Sequence, residues 1–130
     1  MQKSFLVPRT GRAGVAVLAF FASAALGNTI GVTNTNDSGP GSLRNAITSA
    51  APGDTIYFNS KAIRFPATVT LASTLQISQD VTILGPGASL LSVSGGGTVE
   101  VLFVHAGIVN ISGVTIMDGN AGYASVVSNK

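Results

Sequence analysis

The sequence predicts an all-β solenoid, a parallel β-helix of roughly three coils that begins with one amphipathic capping helix. Three observations predict this fold. From about residue 54 onward, short segments alternate β-branched or other apolar residues with polar ones, as half-buried strands do. Short Gly-rich corners such as "GPGA" and "SGGGT" separate these segments. Only the stretch before them, at about residues 42–51, has the periodicity of a helix.

The predicted helix carries one apolar stripe. Its members follow the spacing i, i+3, i+4 and i+7 and are Leu43, Ala46, Ile47 and Ala50. Ser42 is the predicted N-cap, and Pro52 with Gly53 ends the pattern. A helix of about ten residues is too short to be stable alone, so the stripe must pack on another part of the chain. We expect it to cover the first coil, because terminal solenoid repeats need a cap.

The alternation within each strand predicts which side chains face the interior. The inward sets are Ile30 and Val32, Ile56 and Phe58, Val69 and Leu71, Leu75 and Ile77, Val81 and Ile83, Leu91 and Val93, then Val99, Val101 and Phe103, and finally Val114 and Ile116. Glu100 is predicted to face solvent.

Weak self-similarity supports a solenoid. "QISQDVTILGP" resembles "NISGVTIMDGN", and "GDTIYF" echoes both. This alignment stacks Ile56 with Val81 and Val114, and Phe58 with Ile83 and Ile116, and such spacings are typical of solenoids. Three short strands in each period, with tight polar corners, favour a parallel β-helix. The alternative is an α+β sandwich in which the helix is incidental.

Residues 1–27 have the layout of a secretory signal peptide. A positive segment, "MQKSFLVPRTGRAG", precedes the apolar run "VAVLAFFASAAL", and small residues favour cleavage after Ala24 or Gly27. The apolar run is shorter than the roughly 20 residues of a membrane span. A buried N-terminal helix is the alternative. We expect residues 28–130 to form the mature β-helix part, secreted or at the bacterial cell surface or outer membrane.

Charge and cysteine content exclude several classes of protein. The net charge of +2 comes from the leader, because four basic and five acidic side chains follow residue 27. Without a basic cluster, nucleic-acid binding is unsupported. The absence of cysteine excludes disulfides, so an exported chain of this kind depends on apolar burial for stability.

The segment "VTNTNDSGPGSLRNAITSAAPGDTIYFN" resembles the N-terminal module of secreted bacterial right-handed β-helix proteins of the pectate-lyase-like superfamily. "VTILGPGASLLSVSGGG" and "VNISGVTIMDGNA" resemble the coils that follow, so the resemblance covers about residues 31–121. Gly41 stands where many relatives carry a cysteine. The resemblance implies a right-handed, single-stranded coil and a surface or secreted protein, in some cases similar to autotransporter passengers or adhesins.

Proteins of that family usually run for many coils, whereas this sequence stops at "GYASVVSNK" after roughly three. It is therefore expected to be a fragment or a truncated reading frame. The last coil is expected to have an open edge that lowers solubility or self-associates.

No catalytic, cofactor-binding or metal-binding residue is assigned from the sequence. Asp54 and Asp80 precede strands in neighbouring coils and so come near each other, but the favoured interpretation is that both cap corners by accepting backbone hydrogen bonds. Asp118 is interpreted as a turn residue with Gly119 and Asn120. His105, the single histidine, has no evident partner for metal binding or acid–base chemistry.

The cationic side chains also favour structural roles. Arg44 lies in the first turn of the helix and is expected to pair with Asp54 or to cover the cap with its stem. Lys61 and Arg64 flank "KAIRFP" and are interpreted as a solvated pair, with contact to an acidic glycan as the alternative.

These features predict an exported protein with a structural or binding role, adhesin-like or passenger-like, whose partner is an extracellular glycan or a surface protein. Tyr57 and Tyr123 are the tyrosines available for such a binding face. The alternative is the N-terminal part of a polysaccharide lyase or glycoside hydrolase whose active site lies beyond residue 130. A third hypothesis is a non-functional remnant of a longer gene.

Overall fold

The computed structural model of this chain describes residues 27–121. The predicted signal peptide, apart from Gly27, and Tyr123 therefore lie outside the described residues. The described part consists of nine short strands and one helix: β1 (Thr29–Val32), α1 (Leu43–Ser49), β2 (Asp54–Phe58), β3 (Ala67–Thr70), β4 (Leu75–Ile77), β5 (Val81–Leu84), β6 (Leu91–Ser94), β7 (Leu102–Val104), β8 (Val109–Ser112) and β9 (Thr115–Met117).

The strands form three parallel sheets that the chain visits in turn. One sheet has the order β1-β2-β5-β8, the second β3-β6-β9 and the third β4-β7. Every pairing is parallel and joins a strand to its counterpart about one coil later in the chain. The fold is therefore a parallel β-solenoid of about three turns with one short helix, as the sequence predicts.

Equivalent side chains stack from coil to coil and make up the core. In the four-stranded sheet, four isoleucines lie in register: Ile30, Ile56, Ile83 and Ile111. In the second sheet Val69, Val93 and Ile116 form the matching inward row. Apolar ladders of this kind remove aliphatic surface from water at every turn, which is the main stabilising contribution in a chain without disulfides.

The predicted ladder register is wrong. Ile56 pairs with Ile83 rather than with Val81, and Val81 pairs with Asp54. Ile116 does not stack above Phe58 and Ile83, because it belongs to another sheet and pairs with Val93. The third-coil counterpart of "VTIL" is "VNIS" at β8, not "VTIM".

The inward orientation predicted for Phe103 from the strict alternation of "VEVLFV" is also wrong. Val101 is buried and the next residue, Leu102, is partly buried against the core and pairs with Leu75. Because the chain bends at Val101, two consecutive residues face inward and the phase of the strand shifts by one. Phe103 therefore points outward and is 46% exposed.

Helix α1 closes the N-terminal end of the solenoid. It contacts β1 and β4 and buries Leu43, Ala46 and Ile47 there, as the apolar stripe predicts. Ser42 is the N-cap, since its hydroxyl accepts a hydrogen bond from the amide of Asn45.

The helix ends earlier than predicted, at Ser49, because Ala50 is already extended with φ −70° and ψ 140°. The Nε2 of Gln79 donates hydrogen bonds to the carbonyls of Ile47 and Ala50. The Ile47 carbonyl also accepts a hydrogen bond from the amide of Ala50, so Gln79 is its second donor. The two Gln79 bonds tie the end of the helix to the corner between β4 and β5.

Two glycines let neighbouring coils approach at one corner. A Cβ at Gly85 would lie 2.2 Å from the carbonyl oxygen of Gly113, and one at Gly113 would lie 2.4 Å from the carbonyl oxygen of Gly85. Gly113 also has a φ of +70°, which disfavours other residues. At this corner, glycine thus allows both the backbone turn and the close stacking of one coil on the next.

Candidate functional site

The outward face of the four-stranded sheet carries two rows of side chains in register. The polar row contains Thr29, Thr55, Thr82 and Asn110. The second row contains Gly31, Tyr57, Leu84 and Ser112, of which Tyr57 is the aromatic member. Adjacent members of one row are separated by the strand spacing of about 4.8 Å, so hydroxyl and amide groups repeat along the polar row. We call these eight residues the outward face.

The outward face arises from the alternation that builds the core. Each isoleucine of the inward ladder directly follows one member of the polar row, so the Thr-Ile pair recurs in β1, β2 and β5. Residues on either side of an inward side chain point outward. The repeated Thr-Ile pair was the available sequence signal, but the sequence interpretation named only Tyr57 from this face.

Tyr57 lies across the backbone of β1. A Cβ at Gly31 would come within 2.9 Å of the Tyr57 hydroxyl oxygen, so the absence of a side chain at Gly31 makes room for the ring. The Tyr57 side chain remains 41% exposed. Tyr57 thus offers an exposed ring beside threonine hydroxyls on a face that includes no charged side chain.

Asp54 and Asp80 each stabilise a corner, as the capping interpretation predicts. Asp54 is buried, and its two carboxylate oxygens accept hydrogen bonds from the amides of Asn28 and Ala51, at 2.8 and 2.9 Å. Asp80 is exposed and accepts from the amide of Ile108 at 2.8 Å. Asp54 therefore bonds to the preceding coil and Asp80 to the following one.

Asp118 adopts the turn conformation predicted for it. Its φ is +52°, in the left-handed region, and its carbonyl accepts a hydrogen bond from the amide of Gly97. Its carboxylate accepts from the hydroxyl of Ser94 at 3.2 Å. Asp118 thereby joins the corner after β9 to the corner after β6.

The predicted pairing of Arg44 with Asp54 is wrong. The Nη2 of Arg44 lies 2.8 Å from Oδ1 of Asp37, in the loop that precedes the helix. The oxygens of Asp54 instead accept hydrogen bonds from backbone amides. Arg44 also donates to the carbonyls of Ser73 and Thr74. The structural role expected of Arg44 is present, but with different partners.

Asp37 accepts a further hydrogen bond besides the one from the guanidinium of Arg44. Its Oδ1 also accepts a hydrogen bond from the amide of Ala72, and this bond, followed by the one from Arg44, lowers the pKa of the Asp37 carboxyl below its usual value of 3.8. The carboxylate form is therefore the one that the folded chain favours.

His105 has a partner that the sequence did not reveal. Its Nε2 is within hydrogen-bonding distance of Oε1 of Gln76, on the neighbouring coil, and its ring lies 4.7 Å from the ring of Phe103. The partner is an uncharged amide, so the contact bridges coils without forming an acid–base pair. In residues 27–121, no three His, Cys, Asp or Glu side chains form a group that could hold a metal ion.

The remaining charged candidates lie at the surface. Lys61 and Arg64 are exposed on either side of Ile63, which is buried and anchors this excursion to the core. Glu100 is partly buried beside the inward Val101. Within residues 27–121, no helix has the length and apolar character needed to cross a membrane.

The fold and its polar corners define the structural class of the protein: a parallel β-solenoid with a helical N-terminal cap and aspartate-capped corners. Comparisons with protein-family models, with curated proteins and with solved structures gave no significant match.

Proposed function

We propose that this chain belongs to an exported protein with a structural and binding role, adhesin-like or passenger-like, at the cell surface or outside the cell. We further propose that it binds an extended, neutral glycan along the outward face. The observation that supports this proposal most directly is the in-register row of threonine and asparagine side chains beside the exposed ring of Tyr57 on one sheet.

The chemistry of the two rows fits a sugar polymer. A pyranose ring has an apolar face that packs on an aromatic ring such as Tyr57, while its hydroxyls exchange hydrogen bonds with threonine and asparagine side chains. The polar row also matches a repeating ligand, because each coil adds one threonine or asparagine side chain to it. Since the rows include no charged side chain, we expect a neutral polymer rather than a uronate.

Export is proposed from the leader and from the resemblance to secreted β-helix modules of the pectate-lyase-like superfamily. The test is the intact mass and N-terminal sequence of the protein isolated from its own host. A mature chain that begins at Ala25 or Asn28 supports export. A chain that retains residues 1–24 would contradict the proposal.

Glycan binding is tested with neutral soluble polysaccharides in affinity electrophoresis. We expect Tyr57→Ala to abolish the retardation of the folded protein, with Thr55→Ala weakening it. Phe103→Ala is the matched control, since Phe103 is exposed to a similar extent but lies on another sheet. Equal binding by all three variants, or no retardation of the wild type by any polysaccharide, would contradict the proposed face.

A further inference from the structure

Asp54 is the one charged residue that is buried among the described residues, with 4% of its surface exposed. Its Oδ1 accepts a hydrogen bond from the amide of Asn28 at 2.8 Å, and its Oδ2 accepts one from the amide of Ala51 at 2.9 Å. No cationic side chain pairs with it in this part of the chain, where Arg44 pairs with Asp37 instead. A buried carboxylate is costly without a cation, and its two oxygens can accept about four hydrogen bonds, so Asp54 can still accept a cationic donor.

Asn28 is the residue at which the hydrogen-bonded fold begins. Its amide donates to Asp54, and its carbonyl accepts a hydrogen bond from the amide of Thr55 at 2.9 Å. Gly27 makes no hydrogen bond to any of the described residues. Both Gly27 and Asn28 are exposed, so removal of Gly27 would leave the nitrogen of Asn28 between water and the buried carboxylate.

The peptide bond between Gly27 and Asn28 is also one of the two predicted cleavage points of the leader. Ala25 and Gly27 supply the two small residues that a signal peptidase requires before the bond it cleaves. Cleavage after Ala24 would instead keep Gly27 in the mature chain. A Cβ at Gly27 would lie 2.0 Å from the carbonyl oxygen of Gly53, so a chain that keeps this residue has no room for a side chain there. The two cleavage points therefore differ in how they tolerate a substitution at Gly27.

We propose that the leader is cleaved after Gly27 and that the new α-ammonium group of Asn28 forms an ion pair with the buried carboxylate of Asp54. This inference rests on the proposed export of the chain. Hydrolysis adds one water molecule: its hydroxyl goes to the carbonyl carbon of Gly27 and a proton goes to the nitrogen of Asn28. The new carboxyl group of Gly27 then gives up the proton that converts the amine to an ammonium group. The Asn28 nitrogen already lies 2.8 Å from Oδ1 of Asp54, so the ion pair needs no rearrangement of either residue.

Processing strengthens the first contact between coils. An ammonium group offers three charged donors where the amide offers one neutral donor, and charge-assisted hydrogen bonds are roughly twice as strong as neutral ones. The other acidic residue at this corner, Asp80, gives its carbonyl to the amide of Gly53, while its carboxylate accepts from Ile108 in the following coil. The start of β1 is therefore held more firmly to β2 once the leader has been removed.

The first test compares the wild-type chain with Gly27→Ala, both exported and processed in bacterial cells. Alanine is small enough for the peptidase, so we expect both precursors to give the same mature protein, which begins at Asn28 and has the same mass and urea midpoint. A mature chain that begins at Ala25, and is heavier by one methylene group in the variant, would overturn the inference and leave export intact. A chain that retains residues 1–24 would contradict export itself.

The second test measures the reactivity of the α-amine of the mature protein towards trace acetic anhydride as a function of pH. An ion pair with Asp54 should raise the pKa of this amine by at least about one unit above its usual value of about 7.7–8.0. At pH 8 the folded chain should then react at least about fivefold more slowly than the same chain in urea. The exposed amine of Lys61 is the internal control for the reagent.

Two variants separate the ion pair from the fold. Asp54→Asn keeps an oxygen acceptor but removes the charge, so we expect the α-amine to regain the reactivity that it has in urea. Asp80→Asn is the matched control and should leave the protection unchanged, because the carboxylate of Asp80 binds another coil. Circular dichroism checks that each variant is folded. If Asp54→Asn does not fold, the wild-type comparison decides: equal reactivity with and without urea would overturn the ion pair.

Discussion

The guanidinium of Arg44 and the carboxylate of Asp37 meet at 2.8 Å and connect three segments of the N-terminal cap. Arg44 belongs to the first turn of α1, Asp37 to the loop before it, and the other Arg44 donors reach the carbonyls of Ser73 and Thr74 in the corner before β4. Asp37 in turn accepts from Ala72 in that corner. This cluster fixes the helix over the first coil by directed bonds, in addition to its apolar stripe.

Replacing Arg44 should loosen the cap. We expect Arg44→Met, which keeps the apolar stem, to lower the free energy of unfolding by about 1–3 kcal/mol, because hydrogen bonds to a charged group are lost and Asp37 is left without its cation. Urea unfolding measures the change. Arg64→Met is the control: Arg64 is exposed and its side chain forms no hydrogen bond or ion pair within residues 27–121, so we expect a change within about 0.5 kcal/mol. Equal losses in both variants would contradict the role of Arg44.

Acid should weaken the same cluster. Because the folded-state pKa of Asp37 lies below its usual value of 3.8, its ionised form contributes stability that is fully present above about pH 3.8. That contribution declines as the pH falls below 3.8 and is lost once the pH passes the lower folded-state pKa. We expect the wild-type free energy of unfolding to fall more steeply below pH 3.8 than that of Asp37→Asn. Parallel curves for the two proteins between pH 5 and pH 2 would show that Asp37 does not contribute.

The fold class, the capping helix and most inward side chains were predictable from the sequence because they depend on local periodicity. Ser42 and the stripe of α1 follow from helical spacing, and the alternation of "DTIYF" and "VTILG" follows from strand geometry. Local signals of this kind survive in any fold that buries one face of each element.

The ladder register was not predictable in this way. The pattern Val-x-Ile occurs in β5, β8 and just before and within β9, and self-similarity paired β5 with the last of these instead of β8. Each coil contains several similar strands, and the number of residues in each corner decides which of them stack. Corner lengths vary between the coils, so the correct register depends on long-range pairing.

The hydrogen-bond partners of polar side chains could not be predicted from the sequence either. Arg44 binds carbonyls about 30 residues away, and Gln76 meets His105 across a coil boundary. Such contacts depend on the register, so an error in the register carries over to them. The outward face is different: its Thr-Ile signal is local and was present in the sequence.

The two corner aspartates should differ in their contribution to stability. Asp54 is buried and binds two amides, whereas Asp80 is exposed and binds one. We expect Asp54→Ala to cost about 3 kcal/mol and Asp80→Ala about 1 kcal/mol, since an amide left without a partner costs most where water has least access. Denaturant unfolding of both variants gives the comparison. A larger loss for Asp80→Ala would contradict the burial argument.

The Ser42 N-cap should contribute more to stability than a serine on the exposed surface of the helix. The buried Ser42 hydroxyl accepts from the amide of Asn45 and donates to the carbonyl of Gly39 at 2.7 Å. We expect Ser42→Ala to lower the unfolding free energy by about 1–2 kcal/mol. Ser49→Ala is the control, because the exposed Ser49 hydroxyl only donates back to a carbonyl of its own helix. If the two serine variants unfold at the same urea concentration, Ser42 does not act as the cap.

The isoleucine ladder gives a direct test of the register in solution. Ile56 and Ile83 lie side by side on adjacent strands, so the changes in unfolding free energy caused by their substitutions should not be additive. We expect a double-mutant cycle of Ile56→Val and Ile83→Val to give a coupling of about 0.5–1 kcal/mol, because the first cavity lets the second side chain relax. Val114 lies in the third coil, at least about 9.5 Å further along the solenoid, and supplies the control. Ile56→Val combined with Val114→Ala should be additive within about 0.5 kcal/mol. Coupling of Ile56 to Val114 as large as its coupling to Ile83 would contradict the observed register.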